Sequence, residues 1–362
     1  MNTRPKVWQW ILSALVAPVI LNNATAQAGI TDAGDILPTS DPATWTSRPY
    51  VYVGNKSDGT LTINGGSVVQ ANWVNLGQYS GATGTATIDG TGSALDNWGM
   101  YIGYFGTGIM NITNGAWVGN NYCFLAQMTG SRAIVTVDGV GSLWRSQQTF
   151  TVGHAGVALV NITHGAAVNS DSGYIGGDSG SMGTVTVDGV GSTWETSTSS
   201  VIHVGDSGNG TLNITNGATV SSGIYGCFLG YSSGSVGATT VDGAGSSWAS
   251  GGLIVGSAGA GTLNIINGGK VNSGNVAGNY TNSALGYMNG ILNECLIDSN
   301  KEIWAPKAVI DLNNVLYYDT GAFGYGRWSY KFNATVHNDI VVTLYRVLKK
   351  INTLANEVKS DQ

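Results

Sequence analysis

Charge is scarce in this sequence: Asp, Glu, Lys and Arg make up 10% of its 362 residues, against about 25% in an average globular chain. The 15 Lys and Arg are scattered and the net charge is −6. Phosphate neutralisation needs clustered cations, so nucleic acid is excluded as a partner and an anionic membrane surface is disfavoured. Three cysteines, Cys123, Cys227 and Cys295, are too few and odd in number for a disulfide scaffold. Beyond residue 21 no apolar run reaches the roughly 20 residues a helix needs to cross a bilayer.

Glycine is in excess, with 55 residues, about twice the usual ~7% share. Each glycine inside a helix costs about 1 kcal/mol relative to alanine, so a helix bundle is disfavoured. Collagen requires glycine at every third position, and the spacing here is irregular. A hydrophobic content of 42% separates the chain from disordered low-complexity sequences, which lack the apolar surface to offset ordering entropy. A glycine-punctuated β protein or repeat array remains.

The N-terminus carries Arg4 and Lys6, the apolar run Val7–Leu21, and Ala24-Thr25-Ala26 and Ala26-Gln27-Ala28. A basic start, a short apolar stretch and an A-x-A end describe a secretory signal peptide over 1–28, with cleavage expected before Gly29 and Gln27 as runner-up. Residues 29–49 read as an N-terminal linker or cap.

From residue 50 the chain copies itself. One phrase stands as Thr60-Leu-Thr-Ile-Asn-Gly65, Met110-Asn-Ile-Thr-Asn-Gly115, Val160-Asn-Ile-Thr-His-Gly165, Leu212-Asn-Ile-Thr-Asn-Gly217 and Leu263-Asn-Ile-Ile-Asn-Gly268, spaced 50, 50, 52 and 51 residues. A second phrase alternates with it: Asp89-Gly-Thr-Gly-Ser93, Asp138-Gly-Val-Gly-Ser142, Asp188-Gly-Val-Gly-Ser192 and Asp242-Gly-Ala-Gly-Ser246, followed by Trp98, Trp144, Trp194 and Trp248. Both phrases follow an apolar-glycine marker, from Val53-Gly54 to a degenerate Leu285-Gly286, at an average of about 26 residues. Apolar residues two apart, as in Val135/Val137 and Leu212/Ile214, are the signature of half-buried strands. Asn-Gly and Asp-Gly then supply corners that accept positive φ. Tight hairpins would also use Asn-Gly, but would not produce two alternating phrases on a fifty-residue super-period.

These features predict an all-β fold, a right-handed parallel β-helix of about ten coils of ~25 residues over 50–290. Coils stacked at the ~4.8 Å strand spacing give a rod of roughly 45–50 Å. Apolar positions become inward ladders, and Thr62, Thr87, Asn111, Thr136, Asn161, Thr186, Asn213, Thr240 and Asn264 become an outward one. Cys123 and Cys227 fall at equivalent positions four coils apart, roughly 19 Å by the strand spacing. A disulfide requires Cα atoms within about 7 Å, so both read as small buried hydrophobes.

The phrases Gly210-Thr-Leu-Asn-Ile-Thr-Asn-Gly-Ala-Thr-Val220 and Thr240-Val-Asp-Gly-Ala-Gly-Ser-Ser-Trp248 resemble the β-solenoid passenger repeat of type V-secreted autotransporters. Exported proteins bearing a Pro-Glu-Pro C-terminal sorting signal share that repeat. The resemblance covers residues 50–278 and implies a secreted or surface solenoid, often adhesin-like, whose motif is architectural and carries no functional residues. At the C-terminus the chain departs from the family: residues 291–362 contain neither a Pro-Glu-Pro tail nor room for a membrane barrel of eight or more ~10-residue strands.

That segment is different in kind. Residues 50–278 hold 4 Lys and Arg against 10 Asp and Glu, whereas 279–362 hold 8 of each. Ile340, Leu344, Val347, Ile351, Leu354 and Val358 alternate at spacings of 4 and 3, an apolar stripe predicting one amphipathic helix over 339–359, with Asn338 or Asp339 as N-cap. Under three heptads is short for a free coiled coil. The segment is therefore expected to be a small mixed cap over the open last coil, with oligomerisation through the helix as the alternative.

Catalysis on such scaffolds needs clustered carboxylates. Here Asp89, Asp138, Asp188 and Asp242 recur one per repeat at one corner, which is turn geometry. Stacked every second coil they stand ~10 Å apart, too far for one calcium ion. Arg132, Arg145, His154, His164, Glu195 and His203 depart from the repeat, and with Trp144 they are the candidates for a sugar-binding or hydrolytic patch. His154 and His164 lack a recognised metal spacing. No calcium-binding nonapeptide period, phosphate loop or G-x-S-x-G elbow is present. Alternation of Thr with Asn argues against a flat ice-binding face.

The sequence thus leads to an exported, non-catalytic structural or adhesin-like β-helix at the cell surface or outside it, with outer-membrane-associated or periplasmic placement as variants. No catalytic, cofactor-binding or metal-ligating residues are assigned. The expected partner is an extracellular glycan or a surface protein, met by polar ladders or by exposed aromatics such as Trp73 and Trp117. The alternatives are a polysaccharide lyase or glycoside hydrolase, which a carboxylate cluster on one face would favour, and a carbohydrate-binding module.

Overall fold

The computed structural model describes residues 29–273 except 46, together with strands at 292–293, 296–297, 302–304, 316–320 and 326–330. The signal segment 1–28, Leu285-Gly286, Cys295 and the helix expected over 339–359 lie outside the described residues. What is described is a parallel β-solenoid of about nine turns. Each turn contributes one strand to a first sheet, for example Arg132–Asp138, and a longer, bent run to a second sheet, for example Leu143–Val152. In some turns the bend splits that run into half-strands, as in Trp117–Asn120 and Tyr122–Leu125.

Pairing in the first sheet fixes the period. Gly59, Gly84, Gly108, Ala133, Ala158, Gly183, Gly210, Gly237 and Gly261 align in one column. They span 202 residues in eight steps, about 25 per step. The two longest steps, 183 to 210 and 210 to 237, place their extra residues at the bend of the second sheet, in the loops around Ser197 and Tyr225. The Thr/Asn ladder from Thr62 to Asn264 forms a single column of half-buried residues, as the alternation predicts.

The apolar-glycine marker is the corner that returns the chain from the second sheet to the first. The nine markers among the described residues all have positive φ, including Ala126 at 54°. At Gly103 a side chain would also collide with the Arg132 carbonyl of the next coil. Glycine is needed there for backbone conformation and for close coil approach together.

The opposite corners explain the fifty-residue super-period. Each Asp-Gly-x-Gly-Ser corner grips the coil on either side. Backward, Ser142 Oγ accepts the Gly115 N–H at 2.9 Å and Ser192 Oγ accepts the Gly165 N–H at 3.0 Å; each serine donates to the carbonyl of its own aspartate at 2.6 Å. Forward, the Asp89 carboxylate accepts Thr113 Oγ1 at 2.7 Å and Asn114 Nδ2 at 2.6 Å. Asp188 grips Thr215 and Asn216 likewise, and Asp242 grips Asn267. Donor and acceptor corners must alternate because each kind satisfies the other. Asn114, His164, Asn216 and Asn267 themselves take left-handed conformations, with φ of 51–55°. In the first copy Leu61 and Ile63 align with Met110 and Ile112, so Gly65 stands where Asn114 does and Gly66 where Gly115 does. Matching Asn64-Gly65 to Asn114-Gly115 by sequence alone is therefore out of register by a single position, and the first interval of the super-period is correspondingly shorter.

The interior is a set of stacked columns. Val69, Leu95, Val118, Trp144, Val168, Trp194, Val220, Trp248 and Val271 form one, every member nearly or wholly buried. Tryptophan and valine alternate, so a large ring always meets a small neighbour and the core fills without strain. Leu95, not Trp98, holds the first tryptophan position; Trp98 is 49% exposed. The expected column of four tryptophans is therefore three. Polar side chains at the bend satisfy two of these indoles: Trp144 Nε1 donates to Asn120 at 2.7 Å and Trp194 Nε1 to Ser170 at 3.1 Å. Phe150 fits edge-on between Trp144 and Trp194, at centroid distances of 4.9 and 5.9 Å.

Strand direction reverses in both sheets at the N-terminal end of the stack and in the second sheet at the far end. Gly29–Gly34 pairs antiparallel with the first full strand, Gly59–Asn64, and Ile36–Leu37 with Tyr52–Val53. At the far end Glu302–Trp304 lies antiparallel to Lys270–Asn272. An antiparallel strand with Asp32 and terminal glycines covers an edge that would otherwise template another chain.

Three substitutions test this account by denaturant titration. Ser192→Ala leaves the partly buried Gly165 N–H without its acceptor and should cost about 1 kcal/mol, whereas Val190→Ser, at a site 83% exposed, should be near neutral. Thr239 is buried between Leu212 and Leu263 with its hydroxyl unpartnered. Thr239→Val should therefore stabilise the chain, by about 1 kcal/mol.

Candidate binding face

The residue immediately before the apolar member of each marker points outward on the second sheet. These residues form one column, Tyr52, Asn75, Tyr101, Phe124, Thr151, Tyr174, His203, Phe228 and Ile254. Alternation places each beside a fully buried core residue, so the column cannot turn inward. Six of its nine members carry rings.

The rings gather in two clusters. In the first, Tyr101 stacks on Trp73 at 4.9 Å and 17° and on Phe124 at 5.7 Å and 22°. Tyr104 meets Tyr101 edge-on, and His154 meets Phe124 in the same way. Trp73 lies across Gly99, whose lack of a side chain admits the indole. In the second cluster His203 is enclosed by Tyr174, Phe228 and Tyr231, with Tyr231 nearest at 4.2 Å. Offset and edge-to-face contacts of this kind are worth about 0.5–1.5 kcal/mol each beyond burial. They fix the orientation of the rings, which are half-buried apart from the buried His203 and the exposed Tyr231. Tyr79 and Phe105, 48% and 44% exposed, extend the first cluster at the corner.

No member of the column is an acid, Lys or Arg. Its corner flank carries acids: Asp206, 2.5 Å from His203 Nδ1, and Asp178, 3.5 Å from His154 Nδ1. Burial raises the phenol pKa values of Tyr101 and Tyr174; Tyr104 adds to the first effect and Asp206 to the second. Both hydroxyls remain neutral donors at ordinary pH.

The structure separates most of the residues singled out in the sequence. Trp144 is wholly buried in the core and cannot join a surface patch. Arg145 and Glu195 share an outward column of the second sheet with Asn169 between them, two strand spacings or about 10 Å apart. Arg132 opens a strand of the first sheet. His154 sits at the marker corner and His164 at the opposite corner. His203 alone lies in the ring column, and His154 touches it through Phe124. Trp73 belongs to the ring face, while Trp117 lies half-buried on the other half of the bent sheet, over Gly119. Cys123 and Cys227 occupy one inward column four steps apart, both reduced and buried. Burial pushes the Cys123 thiol well up and Cys227 to about 11, so neither is a nucleophile at neutral pH. Among the described residues no group of three or more His, Cys, Asp or Glu is arranged to hold a metal ion, and no helix is long and apolar enough to cross a membrane.

Sequence reasoning missed the ring column, although its signal was in plain view. The residue two before the small residue of each marker reads Tyr, Asn, Tyr, Phe, Thr, Tyr, His, Phe and Ile down the chain. A second missed feature is on the first sheet, where Ile109, Ile134 and Leu159 interrupt an outward column otherwise made largely of threonine. Compared with known proteins, the chain matches no family model, no curated protein and no solved structure.

His164 replaces the corner asparagine without breaking the clamp: its Nδ1 lies 2.5 Å from Asp138 Oδ1. Hydrogen bonds from Thr163, then His164, lower the Asp138 pKa, and the Asp138 hydrogen bond raises that of His164. The raised histidine contributes stability that is fully present below the unfolded histidine pKa of about 6.5 and is lost as pH rises through the folded value. Asp138 contributes in the opposite sense, above about pH 4, and that contribution fades as pH falls through its lowered folded value. NMR titration should place the His164 midpoint above the ordinary histidine value. His164→Asn should abolish the loss of stability on the alkaline side of that midpoint.

Proposed function

We propose that this protein is an exported, non-catalytic, adhesin-like solenoid that holds a rigid aromatic face toward extracellular glycan. The observation that carries the reading is the outward column from Tyr52 to Ile254, with Tyr101 stacked between Trp73 and Phe124. The half-buried rings of the column are flanked by the exposed rings of Tyr79, Phe105 and Tyr231, and apolar surface gathered in this way supports an interaction site. Tyrosine rings offer both halves of sugar recognition: an apolar edge for C–H groups and a hydroxyl that donates to or accepts from sugar hydroxyls. Rigidity favours affinity, because the rings lose little freedom on binding. Export is supported by the basic, apolar and A-x-A sequence of 1–28, and surface placement by the resemblance to autotransporter and sorting-signal-associated repeats.

A hydrolytic reading has one observation in its favour, the Arg145–Asn169–Glu195 column. The same column holds Asp96, ion-paired with Arg48 at 2.6 Å, but it stands four levels from Glu195, about 19 Å by the strand spacing, whereas the carboxylate pair of acid–base glycoside cleavage stands within about 10 Å.

One experiment tests both readings. The purified chain is incubated with a panel of insoluble and soluble polysaccharides, and retention, reducing ends and unsaturated products are measured together. Retention without turnover is expected, weakened about tenfold by Trp73→Ala. Turnover that disappears in Glu195→Gln or Arg145→Ala would replace the proposal with a β-solenoid enzyme, and neither retention nor turnover would remove the glycan reading.

A further inference from the structure

We infer that Asn64-Gly65 is a site of spontaneous covalent modification, where Asn64 is converted to aspartate or isoaspartate and the change loosens the N-terminal cap. This is independent of the glycan reading.

The chemistry belongs to Asn-Gly pairs in general. The backbone nitrogen of the glycine attacks Cγ of the asparagine. A C–N bond forms, the Cγ–Nδ2 bond breaks, and the proton from the attacking nitrogen leaves with the amide as ammonia. Water then opens the five-membered imide at either carbonyl. One opening gives aspartate; the other reroutes the main chain through Cγ and gives isoaspartate. Glycine has no side chain to obstruct the attack. In a folded chain, a hydrogen bond that holds the attacking N–H and one that holds the leaving amide both oppose it.

The corner clamps supply these restraints at the later corners. Gly115 N–H donates to Ser142 Oγ at 2.9 Å and Asn114 Nδ2 to Asp89 at 2.6 Å. Asn216-Gly217 is held in the same way, by Asp188 at 2.6 Å and Ser246 at 2.9 Å. Asn267 Nδ2 donates to Asp242 at 2.7 Å, while the Gly268 N–H meets no acceptor among the described residues. Asn209-Gly210 lies inside the first-sheet ladder, with a strand on either side.

Asn64-Gly65 has neither restraint. It is the first such corner of the stack, so no Asp-Gly-x-Gly-Ser corner precedes it to hold the amide. The single-position offset of this copy gives Ser93 Oγ to the Gly66 N–H, at 3.0 Å. The Gly65 N–H is left with no acceptor among the described residues, and Asn64 Oδ1 is buried without a partner. Gly65 and Gly66 both have positive φ, 59° and 82°, and two successive glycines give the backbone the freedom to bring nitrogen onto Cγ.

The position of Asn64 sets the consequence. It pairs with Gly29 of the cap strand, and it follows the Ile63–Ile88 pair, which places it beside Asp89 of the next coil. Conversion sets a second carboxylate about one strand spacing, ~4.8 Å, from that of Asp89, and like charges so placed repel. Isoaspartate also lengthens the main chain where it pairs with Gly29. Both effects weaken the hold on Gly29–Gly34, the strand that closes the first sheet.

The test incubates the purified chain in mildly alkaline buffer and follows each Asn-Gly peptide by mass spectrometry. Asn64 should convert at least tenfold faster than Asn114 and Asn216, with Asn267 between them. In denaturant the four rates should converge, because the fold alone separates them. Ser142→Ala frees the Gly115 N–H and should speed Asn114, while Asn216 in the same molecule keeps its rate. Limited proteolysis should release the cap strand faster after incubation than before it, and Asn64→Gln, whose longer side chain cyclises far more slowly, should remove that difference. Native conversion of Asn64 no faster than that of Asn114 and Asn216 would overturn the inference, as would an unchanged Asn114 rate in Ser142→Ala. Equal release of the cap before and after incubation would overturn its link to the cap. A Ser142→Ala chain that fails to fold is recognised by acceleration of Asn216, and the native and denatured rates of the unaltered chain then decide.

Discussion

Everything in this solenoid depends on keeping each coil in register with the next at one strand spacing. Backbone ladders supply most of the cohesion, but a parallel ladder alone tolerates slippage. The alternating corners remove that freedom. A serine and an aspartate from each Asp-Gly-x-Gly-Ser corner bond to the coil before and the coil after. A slip of a single position would break several bonds at once and turn core side chains toward water.

The corner arrangement also sets what the interior can be. With each coil locked, equivalent positions form straight columns, and a column can be packed only by side chains whose sizes complement their immediate neighbours. Tryptophan alternates with valine between Trp144 and Val271. Trp194 extends over Gly173, where a side chain would clash with the indole. The super-period is therefore written twice, in polar bonds at the corner and in volume in the core.

Outside, the same geometry converts a one-dimensional pattern into faces. Ring residues that are weakly related in sequence, each a full coil from the next, come to stand one above another. Their contacts with one another fix their orientation before any ligand arrives. Insertions are confined to the bend of the second sheet, at Ser197–Val201 and Ser222–Gly226, so they do not disturb the ring column on one side or the corner clamp on the other.

The coil length, the inward and outward alternation, the glycine corners and the spatial equivalence of Cys123 and Cys227 were all legible in the sequence. Each follows from local chemistry: period-two burial, positive φ, and repetition at fixed intervals. Where sequence and structure differ, they differ by small offsets. Counting puts Asn64-Gly65 out of line by a single position and takes Trp98 for the core member that is Leu95. Pairing, not spacing, decides register, and a bulge or a longer first strand is invisible to counting. The role of the corner aspartates was half legible, since the turn was evident but the bond to the next coil was not. Only the tertiary structure decided which surface residues meet. Arg132, Arg145, His154 and His164 are close together in the chain, yet a corner or a face change between each pair disperses them. Tyr101, Phe124 and Tyr174 are far apart in the chain and share one face, because every turn of the solenoid returns the backbone to the same side of the stack.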